Sequence, residues 1–140
     1  MVHALEEIRR VLVAGGALID LRPLTDRWAV EVVAVRATEG AGRVSPLPQG
    51  LADDAAANTA MSDGEKSGLF RRERQEFFPF HYSWDSPREM QEYVDEEWTD
   101  FLGVDETVWT RIRSLWALAD GDARVRVRLK MLITRWVKVK

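Results

Sequence analysis

A helix, a glycine turn and a strand follow one another near the start of the sequence, and this succession constrains the fold more than any other feature. Apolar residues recur at helical spacing from Leu5 to Leu12, which predicts a helix over about 2–13. The pair Gly15–Gly16 then ends the helix, because glycine adopts the left-handed conformation at little cost. The run ALIDL at 17–21 is apolar on both faces apart from its aspartate, which predicts a strand covered on both sides.

The rest of the sequence adds strands and helices in an order that predicts a single α/β domain over residues 1–140. The length suits one domain, and an apolar content of 46% is enough for a sizeable core. We expect a small mixed sheet of about four strands with helices packed on it. The predicted elements after the first strand are a strand at 28–35, a mobile insertion at about 36–68 with a short helix at 51–61, a strand at 69–84, helices starting at Ser86 and Asp105, and a strand from Ala123 onward.

The best-defined helix start lies at Ser86. Ser86 suits the N-cap, Pro87 the first helical position, and Glu89 completes a capping box. Gly103 is predicted to end this helix. Its apolar stripe is predicted to consist of Met90, Tyr93, Val94, Trp98 and Phe101.

The final strand alternates between apolar and cationic residues. Two interpretations of its cationic side are open: phosphate binding along the strand, or ion pairing with Glu73, Glu76 and the acidic helix at 85–100. Pairing is the simpler account, and a net charge of −3 does not suggest a nucleic-acid binder. The cations are Arg124, Arg126, Arg128 and Lys130, and the predicted inward side holds Val125, Val127, Leu129, Met131 and Ile133.

Composition argues against several classes of chemistry. The sequence has no cysteine, which excludes disulfides and thiol catalysis and fits a cytoplasmic protein. We find neither a signal peptide nor an apolar run that would span a membrane. The two histidines, His3 and His81, are far apart in sequence, and a metal site needs three or four convergent ligands, so no metal is expected. No arrangement of residues stands out as catalytic.

The stretch ALEEIRRVLVAGGALIDLRP at 4–23 resembles the C-terminal half of class I S-adenosylmethionine-dependent methyltransferases, of the methyltransferase type 11 kind. In that family a helix leads through a Pro-Gly-Gly turn into the fifth strand, and Ala14 stands here where the proline is usual. The family ends in an antiparallel strand pair, which 69–84 and 123–140 would supply, with the two helices between them as an insertion. The matching residues are Leu5, Ile8, Arg10, Val11, Leu12, Gly15, Gly16 and Leu18.

The resemblance also implies that the cofactor half of such an enzyme is missing from these residues. In the family, a glycine-rich turn after the first strand and an acidic residue after the second hold S-adenosylmethionine. We find no G-x-G turn after a strand, and EGAG at 39–42 is predicted to be a loop with the wrong spacing. The expectation is therefore a partial methyltransferase-like protein, inactive alone, that takes part in S-adenosylmethionine chemistry only if a partner chain supplies the missing half. A truncated, a split and a repurposed gene product all fit this expectation.

An aromatic stretch, FFPFHYSWDS, suggests where an acceptor substrate would bind. Aromatic walls with polar tips suit a small apolar acceptor, and family acceptors often contact the distal half. The pocket candidates are His81, Tyr82 and Trp84, together with Arg22 at the end of the first strand. The alternative, which we favour, is that these aromatic residues pack as core against the two following helices.

A half sheet is expected to leave an open edge beside 17–21. Exposed apolar edges associate, so we predict a homodimer or a complementary chain. This gives a second hypothesis for function: a non-enzymatic small-ligand or protein-binding module that dimerises through that edge.

Overall fold

The computed structural model describes residues 2–26 and 28–139. Within these ranges the chain forms four helices and a mostly antiparallel sheet on which helices pack, so the predicted α/β class is confirmed. The elements are α1 (Val2–Val11), β1 (Ala17–Pro23), β2 (Ala29–Ala34), β3 (Ala37–Arg43), β4 (Ser45–Pro46), α2 (Pro48–Lys66), β5 (Phe70–Trp84), α3 (Pro87–Glu97), β6 (Leu102–Gly103), α4 (Glu106–Leu118) and β7 (Arg124–Lys138).

The strand β7 organises the main sheet. It pairs antiparallel with β1, from Ala17 opposite Val137 to Pro23 opposite Met131, and antiparallel with β2 nearer its own start. The pairing of β5 with β7, predicted from the sequence, is present. The sheet has five strands rather than about four, because β3 forms a hairpin with β2 that the sequence did not indicate.

The chain divides into two compact units, each with its own buried residues. The first comprises 1–24, 52–78 and 131–140, and its core contains Leu5, Ala60, Phe70 and Trp136. The second comprises Thr25–Leu51 and Pro79–Lys130. The single domain stays a prediction.

The turn into β1 forms as predicted, whereas the predicted burial of β1 is wrong on one face. Gly15 has a φ of 75°, the left-handed conformation that glycine allows. Leu18 packs with α1 and α2 in the first core, but Ile19 and Leu21 on the alternate face are 53% and 52% exposed. Periodicity could not reveal this, since an apolar run does not show which of its faces another element covers.

The buried side of β7 changes parity at Met131. Val125, Val127 and Leu129 are buried, as predicted. Beyond them Leu132 and Thr134 are buried, so the prediction that Met131 and Ile133 continue the inward side is wrong. This change of buried side falls where β7 passes from the second unit to the first, between Lys130 and Met131. The alternate side chains of β7 are therefore buried within each unit separately.

The region 36–68 holds more regular structure than the sequence indicated. It contains β3, β4 and all of α2, which is longer than the predicted helix at 51–61. The mobility of this region stays a prediction. The predicted loop at 39–42 is wrong, because these residues lie in β3. Gly42 has a φ of 137°, and a Cβ atom there would lie 2.8 Å from Cγ2 of Val108. Glycine is therefore required for the strand to bulge past α4.

The start of α3 is confirmed, and its predicted end is wrong. The Glu89 N–H donates to Ser86 Oγ (3.2 Å), and Glu89 Oε2 accepts from the Asp85 N–H (3.0 Å). The helix ends at Glu97, well before Gly103, which lies in β6. A tight turn after Trp98 lets the Phe101 carbonyl accept from Leu47 N–H beside the β4–β6 pair, and it leaves the Phe101 side chain 44% exposed.

Candidate functional site

A cavity of about 350 Å³ lies in the first unit, bounded by α1, β1 and α2. We call it the β1 cavity. Its walls are apolar, and small alanine side chains on both helices leave the space open. The walls come from Ala4, Leu5 and Ile8 of α1 and from Ala57, Ala60 and Met61 of α2, and the floor is the stretch of β1 from Leu18 to Arg22.

Arg22, one of the four predicted pocket residues, lies at the polar end of this cavity. Its Nε and Nη2 donate to the two carboxylate oxygens of Asp20, at 2.8 and 2.9 Å, and its Nη1 donates to Asn58 Oδ1 at 3.0 Å. The side chains of Arg22 and Asp20 are only 21% and 12% exposed. The Asp20–Arg22–Asn58 group therefore links β1 to α2 and carries no net charge.

The sequence alone did not indicate this group. Alternation along β1 places Asp20 and Arg22 on the face that Leu18 also occupies, so their pairing is implied once the strand is recognised. Asn58 lies 36 residues away in α2, and no local pattern connects it to β1.

Tyr82 and Trp84, two other predicted pocket residues, belong to the second unit and pack in an aromatic cluster. We use this name for Trp28, Phe80, Tyr82, Trp84, Tyr93 and Trp98. The ring of Tyr82 lies 5.3 to 6.4 Å from the rings of the other five members, in edge-on, tilted and stacked arrangements. Such contacts are typical of core packing, although the helix they reach is α3 alone, through Tyr93 and its C-cap Trp98, and Phe80 is 41% exposed. Packing against both following helices, the interpretation we favoured from the sequence, stays a prediction.

His81, the fourth candidate, is exposed, since alternation along β5 directs it away from Tyr82 and Trp84. Within the cluster, burial raises the pKa of the Tyr93 hydroxyl above its ordinary value of 10.0, and Tyr82 and Glu97 add to the shift. Tyr93 is therefore a neutral hydrogen-bonding group at physiological pH.

A buried carboxylate in β2, which the sequence analysis missed, holds two arginines of β7. Arg126 donates from Nε and Nη2 to Oε2 of Glu31, at 3.0 and 2.7 Å, and Arg128 donates from the same atoms to Oε1, both at 3.1 Å. Burial alone would raise the pKa of Glu31, but the hydrogen bonds and charges of the two arginines outweigh it and lower the pKa below 4.5. A single acid inside the apolar run WAVEVVAV was the signal that could have revealed it.

Ion pairs account for most of the cationic side of β7. Arg124 pairs with Asp85, and Arg135, further along the strand, pairs with Glu73. The prediction of ion pairing is confirmed, although the partner of Arg126 and Arg128 is Glu31 rather than an acid of β5 or α3.

Comparison of the chain with protein-family models, with curated proteins and with solved structures found no match in any of the three. What the chain does must therefore be argued from its own residues.

Two further findings concern ligands and membranes. Among residues 2–26 and 28–139, no group of three or more histidine, aspartate or glutamate side chains is placed to hold a metal ion. In the same part of the chain, each helix is too short or too polar to cross a lipid bilayer.

Proposed function

We propose that this chain is the acceptor-side part of an S-adenosylmethionine-dependent methyltransferase-like protein. The observation that carries the proposal is the arrangement around β7. The helix α1, the Gly15 turn and β1 follow one another as in the resembling family, β1 pairs with β7, and β5 and β7 form the closing strand pair.

In this proposal the β1 cavity is the acceptor pocket. It lies beside the strand that carries the resemblance, and Arg22, a candidate from the sequence, lies at its polar end. Aromatic packing engages Tyr82 and Trp84 with neighbouring rings, so we place the acceptor at the β1 cavity rather than at β5. The chain supplies no glycine-rich loop for the cofactor, so a partner chain is needed for methyl transfer. A cytoplasmic location belongs to the same proposal.

The purified chain is expected not to bind S-adenosylmethionine by itself. The reason is that the family holds the cofactor at a glycine-rich turn after a parallel strand, whereas we find no such turn in the sequence and, within residues 2–26 and 28–139, β7 pairs antiparallel with β1 and β2. Isothermal titration calorimetry measures this directly, with an intact methyltransferase as the positive control. Binding of S-adenosylmethionine should appear when the complementary partner chain, which carries a strand followed by a G-x-G turn, is added. Saturable heat from the chain alone would contradict the inactive-alone part of the proposal.

A second candidate function is a non-enzymatic binding module that dimerises through β1. The observation that favours it is that β1 is an edge strand of the sheet. The side chains of Ile19 and Leu21 on this strand are about half exposed. An edge strand with an uncovered apolar face is an association site.

The dimer hypothesis predicts that Ile19→Lys yields a monomer under conditions where the unchanged chain dimerises. A lysine on this face places a charge where a second copy would bury apolar surface. Sedimentation velocity over a range of concentrations measures the effect. Leu118→Lys is the matched control, since Leu118 is 87% exposed on α4 and should leave the dimer intact. A monomeric unchanged chain would refute the hypothesis.

A further inference from the structure

We infer that the β1 cavity binds a neutral, mostly apolar molecule of about two fused rings that carries one hydroxyl group. Calling this molecule the acceptor rests on the proposed function. The binding itself requires neither cofactor nor partner, so the inferred binding and the proposed function can fail separately.

Size is the first argument. The cavity measures about 350 Å³. An apolar cavity of about 150 Å³ holds benzene, and small-molecule pockets begin at about 300 Å³. A single ring would therefore leave much of the cavity empty, whereas two fused rings would fill it and contact both helices.

Charge is the second argument. The lining is apolar except for Asp20 and Arg22, whose carboxylate and guanidinium charges balance. Because Asp20 and Arg22 already neutralise each other, a charged ligand would find no free opposite charge in the cavity. Moving its charge out of water would then be costly. A neutral ligand avoids this cost.

Hydrogen-bonding capacity is the third argument. Arg22 donates two N–H groups to Asp20 and one to Asn58, and because a guanidinium has five N–H groups, Nη1 and Nη2 each carry one more. Each carboxylate oxygen of Asp20 accepts one hydrogen bond from Arg22, and a carboxylate oxygen has room for a second. The polar end of the cavity therefore offers both donors and acceptors, and a phenolic hydroxyl, which donates and accepts, can use both.

Three probes of one size test the inference on the chain alone: 2-naphthol, 2-naphthoate and 2-naphthylmethylammonium. The binding of each is followed by amide chemical shifts in two-dimensional NMR. We expect 2-naphthol to shift amides of β1 from Leu18 to Arg22 and of α2 near Ala57, and to bind at least about tenfold more tightly than either charged probe, a difference of about 1.4 kcal/mol. Equal affinity for the three probes, or shifts confined to other elements, would overturn the inference.

Variants locate the site and test its charge balance. Ala57→Leu fills the cavity and is expected to abolish the shifts from 2-naphthol. Ala56→Leu makes the same change at an exposed position of the same helix and should leave them unaltered. Asp20→Asn leaves the Arg22 charge unbalanced and should reverse the preference in favour of 2-naphthoate. Unaltered binding of 2-naphthol by Ala57→Leu would show that the probe binds elsewhere. That result would refute the inference, whatever the outcome with S-adenosylmethionine.

Discussion

Glu31→Gln is expected to lower the free energy of unfolding by about 3 kcal/mol, near the lower end of the range for breaking a buried ion pair. Glu31 is 7% exposed, and its two oxygens each accept two hydrogen bonds from an arginine. A glutamine has one oxygen, so one arginine loses its acceptor while both keep their charge. The lower end applies because the side chain of Arg128 is 57% exposed and water can solvate it. Urea denaturation followed by tryptophan fluorescence measures the change.

The difference in stability between the unchanged chain and Glu31→Gln is expected to depend on pH. The sign of that dependence follows from the lowered pKa of Glu31. The folded protein keeps this carboxyl deprotonated to a lower pH than the unfolded chain does, for which 4.5 is the ordinary value. The stabilisation is therefore present above about pH 4.5 and is lost as the pH falls through the folded-state pKa. The stability gap between the unchanged chain and Glu31→Gln should narrow over that acidic window.

Glu39→Gln is the matched control for this prediction. Glu39 lies on the neighbouring strand β3 but is exposed, so its replacement is expected to change stability by less than about 0.5 kcal/mol. A Glu31→Gln variant as stable as this control, or a gap that widens in acid, would show that the two arginines do not depend on Glu31.

Local signals explain why several elements were predictable from the sequence. The start of α3 depends on Ser86, Pro87 and Glu89, which lie within one helical turn of each other and interact there. The turn between α1 and β1 depends in the same way on Gly15, and the Gly16 N–H donates there to the Val13 carbonyl (2.9 Å). Hydrogen bonds between residues close in sequence leave a pattern that can be read without knowing the rest of the fold.

The candidate site was less predictable, because chain segments far apart in sequence form it. Arg22 was proposed as a pocket residue, but its partner Asn58 lies in α2, and the walls of the β1 cavity come from α1 and α2, which the sequence did not bring together. Glu31 and Arg126 are 95 residues apart. β3 was missed because ATEGAGR is polar and exposed, and only its pairing with β2 makes it a strand. Periodicity identifies elements but does not determine which of them meet.

Trp98→Ala is the other change expected to have a large effect, and it tests the assignment of the aromatic cluster to the core. Trp98 is 6% exposed, and its ring lies 5.4 Å from the rings of Trp28 and Tyr82, 5.7 Å from Tyr93 and 6.0 Å from Trp84. Truncation leaves a cavity that four rigid rings cannot close, and such a change costs about 3–5 kcal/mol. Guanidinium denaturation gives the free energy, and near-ultraviolet circular dichroism reports the loss of ring coupling.

Phe101→Ala is the matched control three residues further along the chain. The sequence placed both aromatic residues on one helical stripe, but the helix ends at Glu97, and the side chain of Phe101 is 44% exposed. Its truncation is therefore expected to cost much less than that of Trp98 and to leave the near-ultraviolet spectrum largely unaltered. If the two variants lost equal stability, Trp98 and Phe101 would be equally important to packing, as the predicted helical stripe implied. The observed burial of Trp98 alone would then be contradicted. If Trp98→Ala lost little, the cluster would be open to a ligand, and β5 would regain its place as the candidate acceptor site.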